Sequence, residues 1–139
     1  MKLSLKKLLS KMLSQLQLLT DDRQNKVLWT GASFMQSGQT ATLTESISDQ
    51  AHGIVLVWSV YSNGAQDWSW QFQFIPKWAE NGTSGGGIIY VGKRDATNST
   101  LAIKYVYVSG KTITGYANNI ATGTGYANNA LCLRAVLGV

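Results

Sequence analysis

The sequence predicts a mainly β protein, an antiparallel β-sandwich preceded by one N-terminal amphipathic α-helix. Apolar residues recur at helical spacing over the first 20 residues. Beyond a short polar segment, eight short runs rich in β-branched and aromatic residues follow one another, with turn residues between them. Because no helical pattern separates these runs, an antiparallel sandwich or barrel is favoured over an α/β fold.

The N-terminal segment is predicted to be a helix with one apolar face. At 100° per residue, its apolar side chains fall within an arc of about 140°, and they are Leu5, Leu8, Leu9, Met12, Leu13, Leu16 and Leu19. We expect this helix to dock on the β body or on a partner protein through Leu5, Leu9, Met12, Leu16 and Leu19. The 4-3-4-3 spacing of these five residues also fits a coiled coil. Lying on a membrane is less favoured, because the apolar face lacks Trp and Phe.

Residues 20–26 are polar and form the only plausible domain boundary. The predicted organisation is therefore a helix over 1–20, a linker over 21–26 and a β-sandwich domain over 27–139. The predicted strands are Val27–Thr30, Thr40–Thr44, Ile54–Tyr61, Trp68–Ile75, Ile88–Val91, Leu101–Val108, Thr112–Thr114 and Leu131–Val139. Gly110 can take the positive φ of a tight hairpin, and Pro76 ends a strand because it cannot donate a ladder hydrogen bond.

Two of these strands predict how the layers pack. In Trp68–Ile75 the aromatic residues alternate with Ser and Gln, so we expect the aromatic side chains in the core and the amides on the other face. Trp58, Trp68 and Trp70 are all expected in the core. Ile54–Tyr61 is apolar on both faces and must be covered twice, which the N-terminal helix could do from outside.

Composition narrows the functional classes. Six of the 12 basic and two of the seven acidic residues lie in residues 1–26, which leaves a net charge of +1 on the remainder out of +5 in all. The β body therefore has no electrostatic footprint for nucleic acid, and no apolar run reaches the length of about 18 residues that marks a membrane span. Cys132 is the only cysteine, which excludes an internal disulfide and a thiolate metal cluster, and a packed, inert thiol is expected.

Groups suited to catalysis are few and scattered. His52 is the only histidine, in a turn, and no motif pairs the acidic residues of the body, which are Glu45, Asp49, Asp67, Glu80 and Asp95. The glycine-rich segment 83–88 lacks the spacing of a phosphate-binding loop. We therefore expect no enzymatic activity, no catalytic residues, no metal and no cofactor.

An internal repeat supplies the candidate binding residues. TGYANN occurs at 114–119 and again at 124–129, so each copy offers one aromatic plane and two amides. Tyr stacking with Asn hydrogen bonds can hold a sugar ring or a partner's backbone, whereas the alternative is turn chemistry with Asn in the left-handed region. The candidates are Tyr116, Asn118, Asn119, Tyr126, Asn128 and Asn129, with Trp78 either a further exposed aromatic or a cap on the core.

Several segments together resemble a β-module of phages that infect Gram-positive bacteria. They are residues 28–61, the strand ending FIPK, KYVYVSGKTITGYANN and the terminal RAVLGV. That module occurs in tail-tip, baseplate and receptor-binding proteins of long-tailed phages, and the likeness covers residues 27–139. A sandwich preceded by a helix is also similar in plan to the shoulder domain of lactococcal phage receptor-binding proteins, which attaches to the baseplate while a separate head binds saccharide.

The resemblance implies a non-enzymatic protein of the virion, made in the bacterial cytoplasm and bound to other tail proteins. Such receptor-binding proteins are commonly trimeric, so a homotrimer stands beside a monomer. Because this chain ends at Val139 without room for a head, no binding residues are carried over from them. The alternative function is a module that binds host cell-surface carbohydrate through Tyr116, Tyr126 and Trp78.

Overall fold

The computed structural model describes residues 4–23, 26–83 and 85–139, apart from the side chains of residues 19–23. It is mainly β, with two sheets and one N-terminal helix, which confirms the predicted fold class. Helix α1 spans Leu5–Arg23 and is followed by strand β1 at Lys26–Ser33. The helix thus runs three residues into the predicted linker, because no Gly or Pro interrupts it there. Gln24 and Asn25 of the predicted linker lie outside the described residues, as does Leu3 of the predicted helix.

The first sheet, called sheet 1, is antiparallel throughout. It contains β1 together with β3 (Gly53–Val60), β4 (Gln71–Pro76) and β10 (Leu131–Gly138). The spatial order of the four strands is β1-β10-β3-β4. The first and last parts of the body therefore meet side by side, with β10 between β1 and β3. Strand β4 ends at Pro76, as predicted.

The second sheet, called sheet 2, is assembled around one long strand. Its strands are β2 (Thr40–Thr42), β5 (Ile88–Lys93), β6 (Leu101–Ser109), β7 (Thr112–Thr114), β8 (Thr122–Gly123) and β9 (Tyr126–Ala127). One edge of β6 pairs with β5, and the other pairs with β7 at one end and β9 at the other. The predicted β6–β7 hairpin is confirmed, with Gly110 at φ 56°. The two short strands β8 and β9 were not predicted.

The core lies between the inner faces of the two sheets. The inward residues of β3 are Ile54, Leu56, Trp58 and Val60, and all four are fully buried, as the alternation predicted. Sheet 1 adds Leu131, Leu133 and Val136, and sheet 2 faces them with Ala102, Val106 and Ile113. Cys132 is buried as expected, and burial raises the pKa of its thiol.

Strand β4 alternates as predicted, but the opposite face points inward. Gln73 and Ile75 are buried, whereas Phe72 and Phe74 are 64% and 55% exposed. The indole N–H of Trp58 donates to Oε1 of Gln73 across 3.2 Å inside the core. Because a buried indole needs an acceptor, this amide is required inside, and the prediction of inward aromatic side chains is wrong.

The prediction that the two tryptophans before β4 lie in the core is also wrong. Trp68 and Trp70 are exposed and precede the strand. Ser69, between them, has φ 52°, in the left-handed region that a continuous strand excludes. The strand therefore begins only at Gln71, whose side chain donates to the Lys93 carbonyl across 2.8 Å and ties β4 to the end of β5.

Candidate functional site

The two TGYANN copies line one groove on the outer side of sheet 2. The groove has a volume of about 320 Å³ and is lined by Ile89, Ile103, Tyr105, Tyr116, Asn118, Asn119, Ala121, Tyr126 and Asn128. We call it the tyrosine groove. Its lining carries no charged side chain, so it suits a neutral ligand with apolar surface.

Three tyrosine rings pack together at one end of this groove. The ring centroid of Tyr116 lies 5.1 Å from that of Tyr105 and 6.4 Å from that of Tyr107. Tyr105 is fixed further, because its hydroxyl accepts from the backbone N–H of Gly87 at 3.1 Å. Tyr116 and Tyr126 remain 38% and 36% exposed. The rings thus form a supported aromatic surface that is open to solvent.

Asn119 is buried, and its amide is engaged by backbone. Its Nδ2 donates to the carbonyls of Met35 and Tyr105 at 2.5 and 2.8 Å, and its Oδ1 accepts from the Tyr105 N–H at 2.7 Å. Both protons of the amide nitrogen are therefore used within the protein. The prediction that this side chain serves a ligand is not supported by its position, which is structural.

Asn128 takes a similar position from the other copy of the repeat. Its Oδ1 accepts from the N–H of Ile103, and its Nδ2 donates to the carbonyl of Asn118, both at 2.8 Å. Together with Asn119 it covers the edge of β6 between its pairing with β9 and with β7. The two copies differ in which Asn is buried. In the copy at 114–119 it is the second Asn, Asn119, and in the copy at 124–129 it is the first, Asn128.

The remaining candidates from the sequence lie apart from one another. Asn118 is exposed at the tyrosine groove, whereas Asn129 lines a separate cleft with Phe34, Tyr61 and Arg94. Trp78 is 69% exposed and precedes the short helix α2, Ala79–Gly82. It therefore does not cap the core, and it does not line the tyrosine groove.

Sequence reasoning missed Lys104, which is buried at an inward position of β6. Its Nζ donates to the carbonyls of Phe34 and Asn119 at 3.1 and 2.9 Å, and lies 5.6 Å from the ring centroids of both Phe34 and Trp58. Burial lowers the pKa of the amine to about 7, with an opposing contribution from Cys132. The available signal was the alternation of β6, which places Lys104 on the same face as Ala102 and Val106.

A second groove crosses the outer face of sheet 1. Its volume is about 570 Å³, and it is lined by Thr30, Gly31, Val57, Trp70, Phe72, Arg134, Ala135 and Leu137. We call it the sheet-1 groove. The guanidinium of Arg134 lies 5.2 Å from the Trp70 ring centroid and donates to Asp67 at 3.0 Å, which fixes the position of the indole.

Helix α1 exposes the apolar stripe that was predicted to dock. The fractional exposure of Leu5, Leu8, Leu9, Met12, Leu13 and Leu16 lies between 43% and 72%, and the side chain of Leu19 lies outside the described residues. The outer face of β4 is open as well. Docking of this helix on the sheet that contains Ile54–Tyr61 is therefore wrong for this structure. A partner face remains a prediction.

The groups considered for catalysis stay dispersed. His52 is exposed in a turn, as expected, where its backbone N–H donates to the Val139 carbonyl at 2.7 Å. Across residues 4–23, 26–83 and 85–139, no three His, Cys, Asp or Glu side chains gather as metal ligands do. Nor is any helix within these ranges apolar enough over its length to cross a bilayer.

No protein-family model matches the chain, and no curated protein is similar to it in sequence.

Proposed function

We propose that this chain is a non-enzymatic attachment protein that acts through protein–protein contacts. The observation that carries the proposal is the exposed apolar surface of two separate elements. One is the leucine face of α1, and the other is the aromatic outer face of β4 with Phe72 and Phe74. Contiguous exposed apolar surface of this kind is typical of protein interaction sites.

The setting that we propose is a phage tail or its adsorption apparatus. Two observations support it: the resemblance of residues 27–139 to the tail and baseplate β-module, and a mainly β body with two sheets preceded by a helix. Other tail proteins are then the partners, and the virion is the location. A tail component needs no catalytic machinery, since it works by holding its neighbours.

Immunogold electron microscopy of purified virions tests this setting. Antibodies raised against the β body should label the distal end of the tail. Particles from a phage carrying the Phe72→Ser and Phe74→Ser substitutions should lose label, because the exposed aromatic side chains that bind the neighbour are gone. Matched particles with Val91→Ser, an exposed apolar residue on sheet 2 outside the tyrosine groove, should keep it. Unlabelled wild-type particles would contradict the tail assignment.

A second candidate function is favoured by one observation, the meeting of both TGYANN copies in the tyrosine groove. Its volume of about 320 Å³ is at the lower end of the range for small-molecule sites. Tyr116 and Tyr126 offer partly exposed rings, and Asn118 offers an exposed amide beside them. Apolar ring faces bordered by neutral hydrogen-bonding groups match an uncharged saccharide.

Calorimetric titration with solubilised cell-wall polysaccharide tests this second function. Saturable binding should be weakened by Tyr116→Ala and by Tyr126→Ala, and it should be unchanged by Trp78→Ala, which removes an exposed aromatic outside the groove. Binding that survives both tyrosine substitutions would place the saccharide elsewhere.

A further inference from the structure

The outer face of sheet 1 is wide enough to receive one α-helix. The lining of the sheet-1 groove includes Val57, Ala135 and Leu137, which we call its apolar floor, and also Arg134. Trp70 and Phe72 line the groove as well. The outer strands β1 and β4 are separated by three strand spacings, which is about 14 Å. A helix with its side chains is about 10–12 Å across, so one helix fits between them.

Helix α1 matches this groove in length and in surface. Its 19 residues span about 28 Å, and the eight residues of β1 span about 27 Å. Its stripe of half-exposed aliphatic side chains would lie on the apolar floor and against Trp70 and Phe72. Lys7 and Lys11, on the opposite side of the helix, would stay in water.

The connection between α1 and β1 is too short for α1 to lie easily in the sheet-1 groove of its own chain. It ends at Arg23, and β1 begins at Lys26, so three Cα-to-Cα steps of at most about 11 Å join them. A helix axis centred over the groove lies about 7 Å to the side of β1 and about 10 Å above the sheet. The combined offset of about 12 Å is at or beyond this reach. A helix from another copy has no such restriction.

The available area fits an exchange of helices between two copies. The half-exposed stripe residues Leu5, Leu8, Leu9, Met12 and Leu13 offer about 300 Å² together. Trp70 and Phe72 of the groove, together with the exposed Phe74 of β4, which lies outside the groove lining, offer a similar area of about 300 Å². One such contact buries about 600 Å², the size of a crystal contact, whereas two reciprocal contacts bury about 1,200 Å², where stable interfaces begin.

We propose that the occupant of the sheet-1 groove is helix α1 of a second copy of this chain, in a reciprocal dimer. The inference rests on the proposed function, since it names one of the protein partners. In a dimer both grooves are filled, because each copy places its helix in the partner's groove and receives the partner's helix in its own.

Sedimentation velocity of the full chain over a wide concentration range tests the dimer. We expect a reversible species of twice 15.1 kDa. Leu9→Glu with Leu13→Glu, and separately Phe72→Ser with Phe74→Ser, should each weaken the dimer at least a hundredfold, to order of magnitude, since every lost contact occurs twice. Lys7→Glu with Lys11→Glu, and Val91→Ser, an exposed residue of β5 outside both grooves, are the matched controls and should leave it unchanged. Thermal melting checks that the variants are folded.

The pattern of these results decides between occupants. Loss of the dimer with both sets of variants supports the proposal. Loss with the helix variants alone would indicate a helix–helix coiled coil and overturn it, and a monomeric wild-type chain would overturn it as well. A monomer whose virions still carry distal tail label would leave the proposed function standing, so the two failures are distinguishable.

Disulfide trapping tests which chain supplies the helix. One tagged chain carries Leu9→Cys and a differently tagged chain carries Ala135→Cys, while the native Cys132 is buried and out of reach. A mixed disulfide between the two tags is the expected result. If a chain bearing both substitutions closes only on itself, docking is within the chain and the proposal is refuted.

Discussion

Lys104→Met should remove a pH dependence of stability that this one amine creates. Burial lowers the pKa of Lys104 from 10.5 to about 7. Between these values the unfolded chain holds a proton that the folded chain lacks, so stability rises with pH across that interval. Below about pH 7 both states are protonated, and the folded state bears the whole cost of a buried ammonium group.

The size of the effect follows from the shift. At 1.36 kcal/mol per pKa unit, the full interval corresponds to about 5 kcal/mol, an upper limit, with a maximal slope of about 1.4 kcal/mol per pH unit. The neutral amine has two N–H groups, and these match the two carbonyls of Phe34 and Asn119 that it contacts. Deprotonation therefore keeps both hydrogen bonds while it removes the buried charge.

Urea unfolding at a series of pH values from 6 to about 8.5 measures this slope. At the upper limit the thiol of unfolded Cys132 begins to lose its proton. Because burial raises the pKa of Cys132 and of Tyr90 in the folded chain, their effect has the opposite sign and lowers the slope only from there upward. Wild type should gain stability with rising pH, and Lys104→Met should lose that gain. The variant also leaves two carbonyls unpaired, at a cost of about 1–3 kcal/mol each, so it should be clearly less stable at the alkaline end.

The matched control is Lys111→Met, which alters an exposed lysine and should keep the wild-type slope. A wild-type stability that stays level between pH 7 and 8.5 would refute the reasoning. So would a Lys104→Met variant that retains the slope, because the titrating group would then lie elsewhere.

The other predictions concern buried polar contacts and one close approach. Asn119→Ala should cost about 3 kcal/mol in the free energy of unfolding, because the N–H and carbonyl of Tyr105 lose their partner and the Met35 carbonyl loses one of two; equal stability with Asn129→Ala, its exposed counterpart, would contradict the structural role. Gln73→Leu should cost about 1–3 kcal/mol, measured by urea unfolding, since the indole of Trp58 loses its acceptor. Gly115→Ala should lower the melting temperature sharply, because a methyl group there would overlap the backbone carbonyl of Met35. An unchanged melting temperature would show that Gly115 and this carbonyl lie further apart.

Local pattern predicted the strands well and the facing of one strand wrongly. Alternation in Ile54–Tyr61 correctly grouped Ile54, Leu56, Trp58 and Val60 on one face, and this face is the buried one. For β4 alternation was also predicted, but the aromatic face was expected to point into the core, and it points outward. Hydrophobicity alone favours Phe72 over Gln73 for the core, and only the contact with Trp58, 15 residues away, decides for the amide.

The candidate site could be predicted in part. The TGYANN repeat singled out Tyr116 and Tyr126, and the structure brings them to one groove. Their role in binding stays a prediction. The use of Asn119 could not be predicted, because its amide bonds a carbonyl at Met35, 84 residues away. Contacts over such separations depend on how the sheets pack, which no local pattern encodes.

The amides that cover β6 limit how partners can approach. An extended peptide adds to a sheet only where a row of backbone donors and acceptors is free. The N–H of Ile103 already bonds Asn128, and both backbone groups of Tyr105 bond Asn119. This stretch therefore offers no ready template for strand addition or fibril growth, and an assembly of many copies would gain protection there against uncontrolled stacking.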